Sequence, residues 1–282
     1  MAAVAVLTTS ASLMLGTPGT GSAAPAATPG LRAFGISGDG TLMATFTTDR
    51  PNVLDWVRAV TGLSGDTALI GIDFRVQNGL LYGVGNKGGI YTIKTPPATT
   101  DAEVTKVSQL QYALHGTTFG VDFNPAADRL RVISDTGQNL RHNLGDHSTI
   151  QDQNLTTPPI EGTTKGVTAA AYTNNDLNAA TGTTLVDINT TSDQVVLQSP
   201  ANSGTLVPTG SLGINAGLNA GLDIYSTLSG GKTVANAAFA SLTPNGAGTP
   251  SLYSIDILTG QATSIAQFPL NITDLAITLT GS

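Results

Sequence analysis

The chain has 282 residues, 40% apolar and 11% charged, with a formal net charge of −7; ordinary soluble domains are about one quarter charged. No basic stripe exists to attract nucleic acid or an anionic membrane, and with no cysteine the chain has neither disulfides nor thiolate metal sites. Gly, Thr, Ala, Asn and Ser take the place of charge, which suits a turn-rich β protein with enough apolar residues for a sizeable core.

In chain order, the first element is an export signal. Residues 2–15, "AAVAVLTTSASLML", form an apolar run, and "GSAAPAA", residues 21–27, supplies small residues for cleavage near Ala24 or Ala27. No Lys or Arg precedes the run. The expected organisation is a signal peptide over 1–27 and one secreted domain over 28–282. No later stretch has the roughly 18 apolar residues of a membrane helix.

After three short β-type runs, "LRAFGIS" (31–37), "TLMATFT" (41–47) and "NVLDWVRAV" (52–60), comes a phrase that recurs. "IGIDF" (70–74) returns as "FGVDF" (119–123), and weaker versions follow in "TAAAYT", "AGLDIY" and "TDLAIT". The reference positions are Asp73, Asp122, Ala171, Asp223 and Ala276, a period of about 50 residues that indicates a propeller or another array. Between them lie β-branched runs such as "LLYGVG", "LRVIS", "TTLVDI" and "SLYSIDI", each bounded by Gly, Asn, Asp or Pro clusters.

Four such strands per unit make a propeller blade. The last unit has only its first strand, and three unmatched strands stand at the N-terminus. The expected fold is therefore all-β: a five-bladed β-propeller of four-stranded blades, its ring closed when the C-terminal strand joins the N-terminal blade. A six-blade count needs one more inner strand than the sequence contains. Four blades with an insertion is the competing count.

Side chains alternate along a strand, so Asp73, Asp122 and Asp223 share a face with Gly71, Gly120 and Gly221. On a propeller's inner strand that face meets the next blade near the axis. A buried carboxylate there must be paired or hydrogen-bonded. The structural reading makes the three axial carboxylates inter-blade staples, with backbone amides or Arg75 as partners. The competing reading makes them a cation site, calcium being the candidate, or catalytic acids and bases.

The stretches "ALIGIDFRVQNGLLYGVGNKGGIYTI" (68–93) and "FGVDFNPAADRLRVISDTGQNLRHN" (119–143), with "AAAYTNN" (169–175), resemble a bacterial family known as domain of unknown function 4394. The resemblance runs from about Leu31 to the C-terminus. It implies a secreted, propeller-like repeat protein and brings no activity or catalytic residues with it.

The remaining motifs are weaker. "SGGKT" (229–233) has Ser226 where a phosphate-binding loop needs its first glycine, so it reads as a hairpin turn. "DINTTSD" (187–193) lacks the glycine and the closing Glu of a calcium hand and also reads as a hairpin. His115, His142 and His147 have no helical metal spacing; the alternative is that His142 and His147 approach each other across a turn, but all three read as solvated loop residues. The best surface candidate is "SDTGQNLRHN" (134–143), where Asp135, Gln138, Asn139, Arg141 and Asn143 offer donors and acceptors, beside the long polar loop 145–166. No cofactor is expected.

Two functional classes follow. One is a monomeric binding or scaffold module that recognises a small polar molecule, a glycan or a protein. The other is a carbohydrate-active hydrolase using the axial carboxylates. The binding reading requires those carboxylates to be satisfied by backbone, and the hydrolytic one requires them free in an open pocket.

Overall fold

A computed structural model describes residues 30–282, and the signal-peptide expectation over 1–27 lies outside them. Twenty strands follow one another in this range with almost no helix. After β1 (Arg32–Ser37), β2 (Leu42–Thr47) and β3 (Trp56–Thr61) come β4 (Leu69–Arg75), β5 (Leu80–Gly85), β6 (Gly89–Lys94) and β7 (Ala102–Gln109). The next set is β8 (Phe119–Asn124), β9 (Arg129–Ser134), β10 (Asn139–His142) and β11 (Thr149–Gln151). It is followed by β12 (Val167–Tyr172), β13 (Leu185–Asn189), β14 (Gln194–Gln198) and β15 (Leu206–Ser211). Last come β16 (Ala216–Ser229), β17 (Lys232–Pro244), β18 (Ser251–Ile255), β19 (Ala262–Gln267) and β20 (Ile272–Ile277).

Three sheets of the described residues have four strands, β8–β11, β12–β15 and β16–β19, and one has eight in the order β20-β1-β2-β3-β7-β6-β5-β4. The eight-stranded sheet consists of two antiparallel sets, β20-β1-β2-β3 and β4-β5-β6-β7. They are joined by a short parallel ladder that pairs Val60 with Ala102 and Thr61 with Glu103. No sequence pattern announces that ladder. The C-terminal strand pairs antiparallel with β1, Gly35 standing opposite Leu275.

Within the sets, hairpins reuse one device. Gly79 and Gly260 have φ of +68 and +80 and donate their N–H to the carbonyls of Arg75 and Asp256, four residues back. Asp128 does the same to Asn124 with φ 52. The side chain at the start of the turn accepts from inside it: Asn124 Oδ1 takes the N–H groups of Ala126 and Ala127, and Asn189 Oδ1 those of Thr191 and Ser192. The "DINTTSD" and "DILTG" segments are such hairpins.

The core is divided rather than central. One apolar cluster gathers Phe34, Met43, Leu69 and Tyr91 between the first and second sets, and another Val84, Ile90, Val121 and Leu130 between the second and third. Ile133, Val167 and Leu185 pack between the third and fourth, and Val186, Leu222 and Leu242 between the fourth and fifth. Phe46, Phe268 and Ile272 return the packing from the fifth set to the first. The first strands of the sets, β4, β8, β12 and β16, pack successively against one another, and β20 lies between β16 and β4. The architecture is all-β and propeller-like.

Candidate functional site

These inner strands bring Asp73, Asp122 and Asp223 together. One carboxylate oxygen of each lies within 4.8 Å of the others, and the residues are 6%, 3% and 4% exposed. Each reaches across to the neighbouring inner strand. Asp73 Oδ2 accepts the N–H of Phe123 at 2.7 Å, Asp122 Oδ1 that of Tyr172 at 3.1 Å, and Asp223 Oδ2 that of Ile277 at 2.5 Å. In all three cases the donor follows the reference position of the next unit by one residue. Asp73 and Asp223 also accept the N–H of the residue that follows them, Phe74 and Ile224, at 2.6 Å.

A fourth member was missed by the sequence reading. Asp274, 5% exposed on β20, accepts the N–H of Ile72 at 2.8 Å. It stands two residues before Ala276, the position taken as the empty slot, so it is on the same face and occupies the place that glycine has in the other units. Its bond lands two residues earlier on β4 for the same reason. The signal was present in "TDLAIT", but alignment on the repeated phrase passed over it.

The accompanying glycines are required by close approach. A Cβ at Gly120 would lie 2.6 Å from the backbone N of Ala170, and one at Gly221 would lie 2.5 Å from Cα of Asp274. At Gly71 it would meet Val121 at 2.4 Å.

Burial sets the electrostatics. It raises Asp73, Asp122 and Asp274 well above the carboxylate range and Asp223 to about 6. Repulsion adds to burial at Asp73, chiefly from Asp223, and at Asp122, from Asp73 and Asp223; the backbone N–H bonds oppose it. Arg75 does not serve the axis: it forms a two-pronged ion pair with Asp128 of the neighbouring set at 2.7 and 2.5 Å. At the N-terminal ends of the inner strands a mouth of about 120 Å³ is lined by Asp39, Thr117, Asn219 and Thr273.

The five surface candidates do not converge on a pocket. Asp135 accepts from the backbone N–H and hydroxyl of Thr117. Gln138 bridges His115 N–H and the Ala113 carbonyl. Asn143 Oδ1 accepts the N–H of Gly145, and Arg141 Nε donates to Asp152. Asn139 is fully buried, accepts from Arg131 at 2.7 Å and donates to the carbonyls of Gln153 and Ala201. The reason is register: β10 lies between β9 and β11, so alternate side chains of this stretch turn into the interface with the fourth set.

That interface holds a polar network invisible to motif reading. Arg131, 2% exposed, donates to Tyr172, Asn139, Asp152 and Asn202. Asp187 is fully buried, neither of its oxygens has a hydrogen-bond partner, and burial raises it well above the carboxylate range. The histidine expectation is corrected for His142. His142 is fully buried rather than solvated, because β10 turns it toward β7, and both His142 and the exposed His147 bond Ser108.

One cleft has the composition of a ligand pocket. It measures about 370 Å³, within the roughly 300–1,000 Å³ of small-molecule sites, and lies where the fifth set meets the first. Half-buried Tyr225 and Phe239 line it with Leu31, Thr48, Asp49 and Thr227.

Comparison with known proteins gives a family but no activity. The family described as domain of unknown function (DUF4394) matches residues 42–276. A search of the curated proteins finds no match. Among solved structures the chain is similar to a Bacteroides thetaiotaomicron protein of unknown function, with 13% identity and a TM-score of 0.48 over 88% of this chain and 67% of that one. It is also similar to the glutaminyl cyclase of Myxococcus xanthus, with 11% identity and a TM-score of 0.43 over 80% and 97%. The WD40 domain of Toxoplasma gondii coronin gives 12% identity and 0.38 over 82% and 55%.

Proposed function

The chain belongs to the DUF4394 family, and we propose that it is a secreted binding or scaffold module. In this reading it is a five-bladed propeller of four-stranded blades, closed by the C-terminal strand joining the N-terminal blade. The ring holds rigid loops and clefts toward a small polar molecule, a glycan or a protein. One observation carries the choice of binding over hydrolysis: Asp73, Asp122, Asp223 and Asp274 each accept a backbone N–H from a neighbouring inner strand. Carboxylates so engaged act as staples between blades. Glycoside cleavage needs two carboxyl groups about 5–10 Å apart with room for a sugar between them, whereas Asp73, Asp122 and Asp223 crowd to within 4.8 Å and all four are almost wholly buried.

The ligand's place in this reading is the cleft of Tyr225 and Phe239. Aromatic faces beside the Thr227 hydroxyl and the Asp49 carboxylate suit a sugar ring, which is apolar on its faces and hydroxylated at its rim. The test is a glycan array with a thermal-shift ligand screen on residues 28–282. The expected result is binding that Tyr225→Ala removes and Asp122→Asn leaves intact. Release of reducing sugar from a polysaccharide, abolished by Asp122→Asn, would overturn the reading in favour of the hydrolase.

A further inference from the structure

We propose that Ser108, His142 and His147 form a binding site for a divalent transition-metal ion that prefers imidazole, zinc or copper(II), at the junction of the second and third sets of strands. The three side chains come from separate elements. Ser108 lies on β7 and is 9% exposed, His142 ends β10, and His147 stands in the exposed β10–β11 turn with φ 58. His142 Nε2 and His147 Nδ1 both lie against the Ser108 hydroxyl, at 2.8 and 2.9 Å.

Each feature suits a metal. Imidazole ligates only when neutral. His142 is fully buried, with its Nε2 against the Ser108 hydroxyl. Its far nitrogen, Nδ1, lies 2.9 Å from the Thr149 hydroxyl. In the tautomer that donates to Thr149, the Nε2 lone pair faces Ser108. Metal-ligating histidines are oriented by an outer hydrogen bond of this kind. Thr149 is itself fixed, accepting the Gln111 N–H at 3.0 Å.

Size and charge agree. Tetrahedral zinc with bonds of ~2.1 Å holds its donor atoms ~3.4 Å apart, so opening each N···O edge by roughly 0.5 Å admits the ion between the three donors. His147, on an exposed turn, opens one edge by its own movement, and a small χ1 rotation of Ser108 opens the other while His142 stays fixed. The site opens on a surface depression of about 510 Å³ lined by Gln109 and Gln111, which leaves the fourth position to water or an outside ligand. Two imidazole nitrogens and a hydroxyl favour zinc or copper over calcium, which takes oxygen ligands. The nearby charges offset one another: Lys106 borders the depression, held by the Ser64 carbonyl, and Asp146 lies one residue from His147.

The test uses untagged, chelator-treated protein titrated with zinc chloride, copper chloride or calcium chloride by calorimetry and thermal shift. Cobalt(II) serves as a visible probe of coordination. The expected result is one ion per chain, a raised melting temperature with zinc or copper but not through this site with calcium, and a tetrahedral cobalt spectrum. His147→Ala, a surface change that spares the core, removes all three signals, while His115→Ala removes none. Absence of zinc and copper binding to the parent, or binding that survives His147→Ala, would overturn the proposal.

Discussion

Two seams between neighbouring sets of strands solve one packing problem with different chemistry. Between β4 and β8, Asp73 bonds Phe123 N–H, Gly71 lies against Val121, and Arg75 and Gln77 reach Asp128 and the Pro125 carbonyl at the far end. Between β12 and β16, Ala169 and Ala171 pack on Ala220 and Leu222 with no carboxylate in the repeated slot. The polar contact comes only at the end, where Asn175 donates its backbone N–H to Ser226 and its amide to the Ile224 carbonyl. Small apolar side chains therefore suffice to bring inner strands together. The carboxylate adds direction: it fixes which N–H of the next strand it meets, and so the register between strands that share no ladder. Its cost is desolvation, and three of the four are further raised by repulsion from another carboxylate of the axis.

The comparison breaks most completely if a strand is removed. Deleting residues 271–282 takes away Ile272, Leu275 and Ile277 from the core, the β1 pairing and the Asp274 bond together. The expected outcome is loss of the cooperative thermal transition by circular dichroism. A truncated protein that melts like the parent would show that β20 does not hold the ring.

Acid separates the two kinds of seam next. A carboxyl whose folded pKa is raised binds a proton that the unfolded chain releases, so its contribution is present at low pH and is lost as pH rises through the folded value. For Asp223 the window runs from 3.8 to about 6, worth about 3 kcal/mol. Asp73, Asp122, Asp274 and Asp187 shift in the same direction. His142 opposes them. Lowered from 6.5 to about 4, it loses its contribution as pH falls through that range. Five carboxyls outweigh one imidazole, so the melting temperature should be higher at pH 5 than at pH 7.5. Asp122→Asn removes one titrating group and the repulsion it feels from Asp73 and Asp223, and the slope should flatten. A melting temperature that falls between pH 7.5 and 5 would mean the axial carboxylates are ionised in the fold, as a bound cation would require.

How far the sequence revealed this arrangement depended on whether the feature repeats. The period exposed the strands, the sets of four and three axial carboxylates, because each unit solves the same problem with Gly and Asp two residues apart. Asp274 escaped because it solves it one step along the same face. The sequence of 134–143 did not reveal that Asn139 is buried, because polarity alone does not say which side of a strand faces a neighbour. Asn139 and Arg131 are polar residues that face the interface and satisfy one another there. His142 and His147 flank one turn, so their approach was legible, but Ser108 is more than thirty residues away and meets them only through packing of two sets, so no local pattern announced it.

The smallest expected effects give the finest comparison, between Asp122 and Asn175. Asp122→Ala leaves the Tyr172 N–H buried without its acceptor, a loss of about 1–3 kcal/mol. Relief of the repulsion that Asp122 feels from Asp73 and Asp223 offsets part of this. Asp122→Asn keeps an acceptor and should cost less. Asn175→Ala removes one amide bond to the Ile224 carbonyl, but the Asn175 backbone bond to Ser226 survives and the side chain is only half-buried. Its cost should be about 0.5–1.5 kcal/mol, the ordinary net worth of one hydrogen bond. Urea unfolding of the parent and the three variants at pH 7 measures all of them on one scale. If Asn175→Ala proves the costlier change, the alanine seam depends on the Asn175 amide more than the stapled seams depend on their carboxylates. The role of Asp122 would then lie in register rather than in stability.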